Sequence, residues 1–326
     1  MEYRKLGRTG LKVSELCMGT MQFGWTADER ISFDILNAAF EAGINFFDTA
    51  DIYSRWVEGN PGGVSEEIIG KWIIRFKIPR EQIVIATKVR GQMSDDPNDQ
   101  GLSRQHIQKS VEGSLHRMQT DYIDIYQAHW FDEEISIEES LRAFDELVRQ
   151  GKVRFIGCSN YPAWRLMEAL WTSDKFNLIR YDTLQPHYNL VKRAEFEREL
   201  SDVCQKYDIG VIPYSPLSGG FLTGKYRKDQ EIPKGSRGEN SPRLRKYFTD
   251  ENWELLDLLE GIGERKGGFS ISQVALAWHL SNPVITSPII GPRNMEQLED
   301  NIGAVGLRIT NDEMEQLNQA SEWEEG

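Results

Sequence analysis

The sequence predicts a (β/α)8 TIM barrel with an N-terminal β-hairpin and extra C-terminal helices. Two observations carry that class. Eight short β-branched or apolar runs alternate with amphipathic stretches, and they recur roughly every 30–40 residues, the spacing that parallel βαβ units need. The first run also ends in Gly19-Thr20-Met21-Gln22-Phe23-Gly24, not the G-x-G-x-x-G that a doubly wound sheet places after its first strand. Eight units of this kind close a barrel.

The opening 1–13 segment, with Gly7 and Gly10 at its turn, reads as the hairpin. The expected strands are 16–19, 45–50, 83–89, 122–129, 153–159, 183–188, 210–214 and 284–290. Between them apolar residues fall at helical spacing, as at Leu141, Phe144, Leu147 and Val148. Capping-box spacings mark helix starts at Thr26/Glu29, Ser136/Glu139, Ser270/Gln273 and Thr310/Glu313. Two connections, 90–101 and 225–249, are long for βα loops. At the carboxyl ends of barrel strands such loops usually carry function. No linker or low-complexity tract divides the chain, so a single domain is expected over 1–326.

Composition narrows the function. Lys and Arg number 38 against 51 Asp and Glu, a net charge of −13, which disfavours nucleic acid because phosphate contacts need a basic face. No apolar run approaches the ~18 residues of a membrane span. The start, MEYRKLGRTG, has no apolar signal-peptide centre, so a cytoplasmic protein without membrane contact is expected. Cys17, Cys158 and Cys204 are scattered, with neither CxxC nor a Cys/His cluster, so neither a disulfide scaffold nor a metal site is expected.

Strand ends in a barrel are where polar residues matter. Asp48 ends the second strand with Tyr53 five residues on, Lys88 lies in the third, and His129 ends the fourth. A phenol is neutral at pH 7 and can donate a proton to a developing alkoxide. A buried ammonium beside it is expected to lower its pKa, Asp48 to keep that ammonium charged, and His129 to orient a carbonyl. Singly, each residue has an ordinary explanation: a snorkelling lysine, a structural ion pair, a core histidine. An imine at Lys88 is a further chemical possibility.

The segments Asn45-Phe-Phe-Asp-Thr-Ala-Asp-Ile-Tyr53, Ile85-Ala-Thr-Lys88, Tyr122-Ile-Asp-Ile-Tyr-Gln-Ala-His129 and Gly157-Cys-Ser-Asn160 resemble the aldo-keto reductase superfamily, in that family's order. The likeness runs from Tyr3 to Trp323 and is nearest to bacterial members that also resemble potassium-channel β subunits. It implies a catalytic tetrad at Asp48, Tyr53, Lys88 and His129, with Tyr53 the general acid in NADPH-dependent reduction of aldehydes or ketones. It also implies an NADP(H) site. Gly19, Thr20 and Met21 would line the first strand's mouth. Ser159, Asn160 and Gln185 would hold the carboxamide, and Tyr214 would stack on the nicotinamide. Ser215, Pro216, Leu217 and Gly219 would take the pyrophosphate under Lys225 and Arg237. Gly291, Arg293, Gln297, Asp300 and Asn301 would meet the adenosine end, Asp300 standing where the family usually has Glu. Trp25, Trp56 and Trp130, with Tyr53 and His129, are the candidate pocket wall for a small-molecule carbonyl or alcohol. The same family likeness leaves an alternative open, a nicotinamide-binding redox-sensing subunit with little turnover. The oligomeric state is not legible.

Overall fold

The molecule, a computed structural model, is described over residues 1–323. Residues 324–326, the tail of the expected domain, lie outside the described residues. Ten strands are present among these: β1 (Tyr3–Lys5), β2 (Lys12–Ser14), β3 (Cys17–Gly19), β4 (Phe46–Asp48), β5 (Val84–Val89), β6 (Ile123–Ala128), β7 (Val153–Ser159), β8 (Tyr181–Gln185), β9 (Gly210–Val211) and β10 (Ile289–Ile290). β1 and β2 form the antiparallel hairpin, and the other eight form one parallel sheet in the order β10-β3-β4-β5-β6-β7-β8-β9. The sheet closes on itself because Thr286 N donates to Val211 O at 2.8 Å and Ile289 N to Pro213 O at 2.9 Å. The result is the (β/α)8 barrel, with its hairpin.

Several strands are shorter than their apolar runs. β4 stops at Asp48, and β9 and β10 keep two residues each; beyond β4 single backbone contacts continue, Thr49 N donating to Ala86 O at 2.9 Å. β8 starts two residues earlier than expected, at Tyr181, and stops at Gln185. There the chain leaves the ladder, and His187 makes only an isolated bridge to Tyr214.

The helices are α1 (Glu29–Glu41), α2 (Val64–Phe76), α3 (Arg104–Met118), α4 (Ile137–Arg149), α5 (Ala163–Phe176), α6 (Ala194–Glu197), α7 (Leu200–Tyr207), α8 (Arg237–Asn240), α9 (Pro242–Arg245), α10 (Asp250–Arg265), α11 (Ile271–Ser281), α12 (Met295–Ile302) and α13 (Asn311–Ala320). On α4 the expected stripe of Leu141, Phe144 and Leu147 is buried, as an amphipathic helix on a sheet requires. Ser136 caps α4, and full capping boxes start α11 and α13. The Thr26 start is corrected: Asp28 caps α1, accepting from Ile31 N at 2.8 Å. Thr26 instead donates to Gln22 Oε1 at 2.6 Å, since a tight turn in which Gly24 N meets Ala27 O holds it before the helix. The extra helices α10 and α13 are tied by Lys266–Glu313 at 2.9 Å. No helix among the described residues is long and apolar enough to cross a membrane.

Strand alternation decides what faces the barrel interior. Cys17, Phe46, Val84, Ala86, Ile125, Ile212 and Ile289 meet in one buried cluster, stoppered by Leu6 and Val13 at the hairpin end. Two residues further along β4, β5 and β6, the same inward positions are Asp48, Lys88 and Gln127. The polar layer thus lies directly above an apolar plug, towards the carboxyl ends of the strands.

Gly157 makes room for this layer. A Cβ there would lie 2.0 Å from Thr183 Oγ1 and 3.2 Å from Gln127 Cγ. Gly157→Ala should therefore destabilise the fold by ~1–3 kcal/mol through overpacking, as read by chemical denaturation; an unchanged midpoint would contradict this close approach.

Candidate active site

The four candidate catalytic residues converge at the mouth. Lys88 is fully buried and donates to Asp48 Oδ2 at 2.6 Å, Thr49 O at 2.7 Å and Tyr53 Oη at 3.0 Å. All three ammonium hydrogens are thereby used, which leaves no nitrogen lone pair for an imine. Burial works against the Lys88 charge, but Asp48 and then Tyr53 outweigh it and raise its pKa. Asp48 Oδ1 accepts from Gln185 Nε2 at 2.8 Å and from Gln127 Nε2 at 3.3 Å. Both carboxylate oxygens are therefore occupied, as a buried charge demands.

Tyr53 corrects one expectation. Lys88 does pull its pKa down, but burial is the larger effect and the phenol ends above its ordinary value. At neutral pH the group is a protonated donor already touching a cation. His129 is held well below the usual imidazole range, first by burial, then by Lys88 and Arg90. It is a neutral ring, and its Nδ1 is buried without a partner.

An aromatic wall surrounds these groups. Trp25 meets Trp56 edge-on at 5.5 Å, Trp56 meets Tyr53 at 6.2 Å, Tyr53 meets His129 at 6.0 Å, and His129 stacks on Trp130 at 3.8 Å. The three tryptophans are 42%, 48% and 38% exposed, so large apolar faces are left open to the mouth.

Beside the tetrad a second polar chain runs along the strand ends. Tyr214 donates to Asn160 Oδ1 at 2.8 Å, Asn160 Nδ2 donates to Ser159 Oγ and His129 O at 3.0 Å each, and Ser159 Oγ donates to Gln185 O at 2.8 Å. Asn160 holds a positive φ of 58°, tolerable for Asn, which turns its amide into this chain. Tyr214 stacks on His187 at 4.8 Å with 14° between planes, and burial pushes its phenol up to about 12.

The loop after Tyr214 winds through an unusual backbone conformation. Ser215, Ser218, Gly219 and Gly220 all have positive φ, the kind of winding that gathers backbone N–H groups into a concavity. Ser218 Oγ is buried there without a partner. Lys225 Nζ would lie 2.7 Å from a Cβ on Gly220, and Arg237 Nη1 3.4 Å from one on Gly219. Burial, and then Arg293 and Arg237, lower the Lys225 pKa; burial foremost, with Arg293, lowers that of Arg237. Among the described residues none of these three cations pairs with a carboxylate, although acids outnumber bases by 13. Arg237 also reaches over Trp25, 5.8 Å from its ring centre. Unpaired cations grouped beside such a turn are the chemistry that complements anionic groups.

Some expected binding residues serve the fold as well. Gly19 is there for close strand packing, since a Cβ would meet Ile289 Cγ2 at 2.5 Å. Thr20 is fully buried, with its hydroxyl on Asp48 O and Ser65 Oγ, and Met21 after it is half-buried. Gln185 already spends its amide on Asp48. Near α12, Gln297 accepts from Arg293 N at 3.1 Å, Asp300 Oδ1 accepts from Ser270 Oγ at 2.6 Å, and Asn301 is buried. Arg293 stands half-exposed, just before the Asn294 cap of that helix, with Gly291 and Pro292 leading into it. Leu217 packs partly against the core and Pro216 is buried. Sequence reasoning missed Gln127 and Thr49 O, and it marked Arg90 only as the start of the 90–101 loop, a candidate pocket wall; the i, i+2 relation of Gln127 to His129 was the available signal for the first.

The family model described as "Aldo/keto reductase family" matches residues 15–322. The chain belongs to the aldo/keto reductase family. It is 42% identical to the uncharacterized oxidoreductase YrpG of Bacillus subtilis, over 98% of this chain and 95% of that one. It is 32% identical to the versiconal hemiacetal acetate reductase of Aspergillus parasiticus, over 98% and 96%. A putative voltage-gated potassium channel subunit beta of Schizosaccharomyces pombe is 37% identical, over 93% and 88%. The family, with the oxidoreductase and reductase names among these relatives, supports a carbonyl-reducing oxidoreductase in general.

Proposed function

We propose that the chain is a single-domain cytosolic enzyme over 1–326 that reduces aldehydes or ketones with NADPH, Tyr53 being the general acid. The observation that carries this reading is the unbroken Asp48–Lys88–Tyr53 hydrogen-bond chain under an open aromatic mouth, with neutral His129 beside it. A bound nicotinamide supplies the hydride that reduces the carbonyl carbon. Tyr53 Oη donates its proton to the carbonyl oxygen as negative charge grows there. Lys88 then stabilises the phenolate left behind, and Asp48 and the Thr49 carbonyl fix the ammonium in place. A His129 ring with its hydrogen on Nε2 would aim that donor at the same oxygen and orient the substrate without titrating near neutral pH.

Ser159, Asn160 and Gln185 would hold the carboxamide, with Tyr214 flat against the ring and backed by His187. The 215–220 turn with Lys225 and Arg237 would hold the pyrophosphate. Arg293, at the start of α12, would read the 2′-phosphate, with Gln297, Asp300 and Asn301 around the adenosine. Charge-assisted hydrogen bonds contribute ~1.5–3 kcal/mol, so Arg293→Ala should weaken NADPH binding about ten- to hundredfold and leave NADH almost unchanged. Fluorescence titration of both cofactors checks it; equal losses, or none, would remove Arg293 from that role.

The channel-subunit relatives favour a second reading, a nicotinamide-binding regulatory subunit with little turnover. A panel of aldehydes and ketones, including 4-nitrobenzaldehyde and methylglyoxal, assayed with NADPH and NADH separates the two. Turnover supports the reductase. Tight cofactor binding without turnover on any member supports the subunit.

A further inference from the structure

Arg90, immediately after β5, has no direct part in the mechanism above; its charge is the last-named of the influences that keep His129 neutral, after burial and Lys88. It sits in the mouth with its Cζ 5.9 Å from the Trp130 ring centre, on the ring that stacks on His129. Its Nε is buried without a hydrogen-bond partner. Among the described residues it forms no ion pair. Asp132, in the neighbouring loop after β6, accepts from Leu102 N at 2.9 Å and from Glu134 N at 3.0 Å, one N–H on each oxygen.

The backbone holds Arg90 there at a cost. Its φ is +133°, a region that non-glycine residues rarely enter and leave unless the surroundings over-determine it. Two contacts do so. Gly101 N donates to Arg90 O at 3.0 Å and closes the 90–101 loop. Gly91 is pressed on Ile52, where a Cβ would meet Ile52 Cδ1 at 2.5 Å. A cation with a desolvated, unpaired donor is unfavourable unless an anion arrives to pair with it.

We propose that Arg90 is a specificity-determining residue that receives a carboxylate carried by the carbonyl substrate. The planar guanidinium matches a carboxylate with two parallel hydrogen bonds, and Trp130 offers an apolar face to the segment between the carboxylate and the carbonyl. The preferred substrates are therefore aldehydo- or keto-acids, whose carbonyl lies at Tyr53 and His129 while the acid end lies at Arg90. This inference rests on the reductase reading for the identity of the other end of the ligand, but not for the anion site itself.

The test compares 3- and 4-formylbenzoate with methyl 4-formylbenzoate on the wild type, Arg90→Met and Arg90→Lys. Binding is measured by calorimetry, turnover with NADPH, and NADPH affinity separately. The wild type should prefer at least one acid to the ester. Arg90→Met should lose about ten- to hundredfold in kcat/KM for that acid, the range a charged hydrogen bond supplies, chiefly through KM. The ester should be unaffected, NADPH affinity unchanged, and Arg90→Lys should recover part of the loss. No preference for an acid, equal losses for acid and ester, or weakened NADPH binding in Arg90→Met would overturn the assignment. If the wild type turns over nothing yet binds an acid in an Arg90-dependent way, the reductase reading fails and the anion site stands.

Discussion

Tyr53→Phe is expected to reduce carbonyl reduction by ~10²–10⁴-fold, the usual contribution of a positioned acid, while NADPH affinity stays near wild type. The hydroxyl is the only atom removed. It is the atom that Lys88 Nζ touches at 3.0 Å, and it lies on the wall facing the mouth rather than in the chain from Ser159 to Tyr214. Steady-state rates with a cofactor titration alongside check both halves. A variant within a few-fold of wild type would mean that the proton comes from elsewhere.

Lys88→Met should have the other large effect, and it acts twice. Lys88 is the ion-pair partner of Asp48, a residue only 2% exposed. Removing one member of a buried pair costs ~3–5 kcal/mol, because the remaining charge is left unpaired. Adding Asp48→Asn should return much of that stability but none of the activity, which separates folding from chemistry. Lys88 also pulls the Tyr53 pKa down against burial, so its loss lets that pKa rise further. Alcohol oxidation needs the phenolate, so its rate climbs as pH rises through the Tyr53 pKa. In the variant that limb should move to higher pH. Denaturation midpoints and the oxidation pH profile are the readouts; an unmoved limb in folded protein would break the Lys88–Tyr53 coupling.

Much of the barrel was legible because its strands are continuous apolar runs and its helices carry 3.6-residue stripes. The ends were less so. Val284 and Ile285 read as strand by composition, yet Ile285 makes only an isolated bridge to Val211 while Ile289 and Ile290 pair in register with β3, and pairing depends on a partner far away in the chain. Thr26 and Asp28 both suit a helix cap; the turn that gave the position to Asp28 is set by Gln22 and Ala27. At the site, the residue types and their order named four residues, Asp48, Tyr53, Lys88 and His129, that the structure brings together. What the sequence could not show was balance. Only burial reveals that desolvation outweighs Lys88 at Tyr53, that Gln185 already serves Asp48, and that Arg90 has no carboxylate to meet. These outcomes depend on three-dimensional neighbours from five or more separate strands and loops.

The most direct measurement is product stoichiometry. Wild type and Tyr53→Phe, both shown to bind NADPH, are incubated with 4-nitrobenzaldehyde, and the alcohol formed is quantified by chromatography against the NADPH consumed. The account predicts equimolar alcohol and oxidised cofactor with the wild type and almost none with the variant. Cofactor consumed without alcohol, or equal alcohol from both proteins, would contradict it.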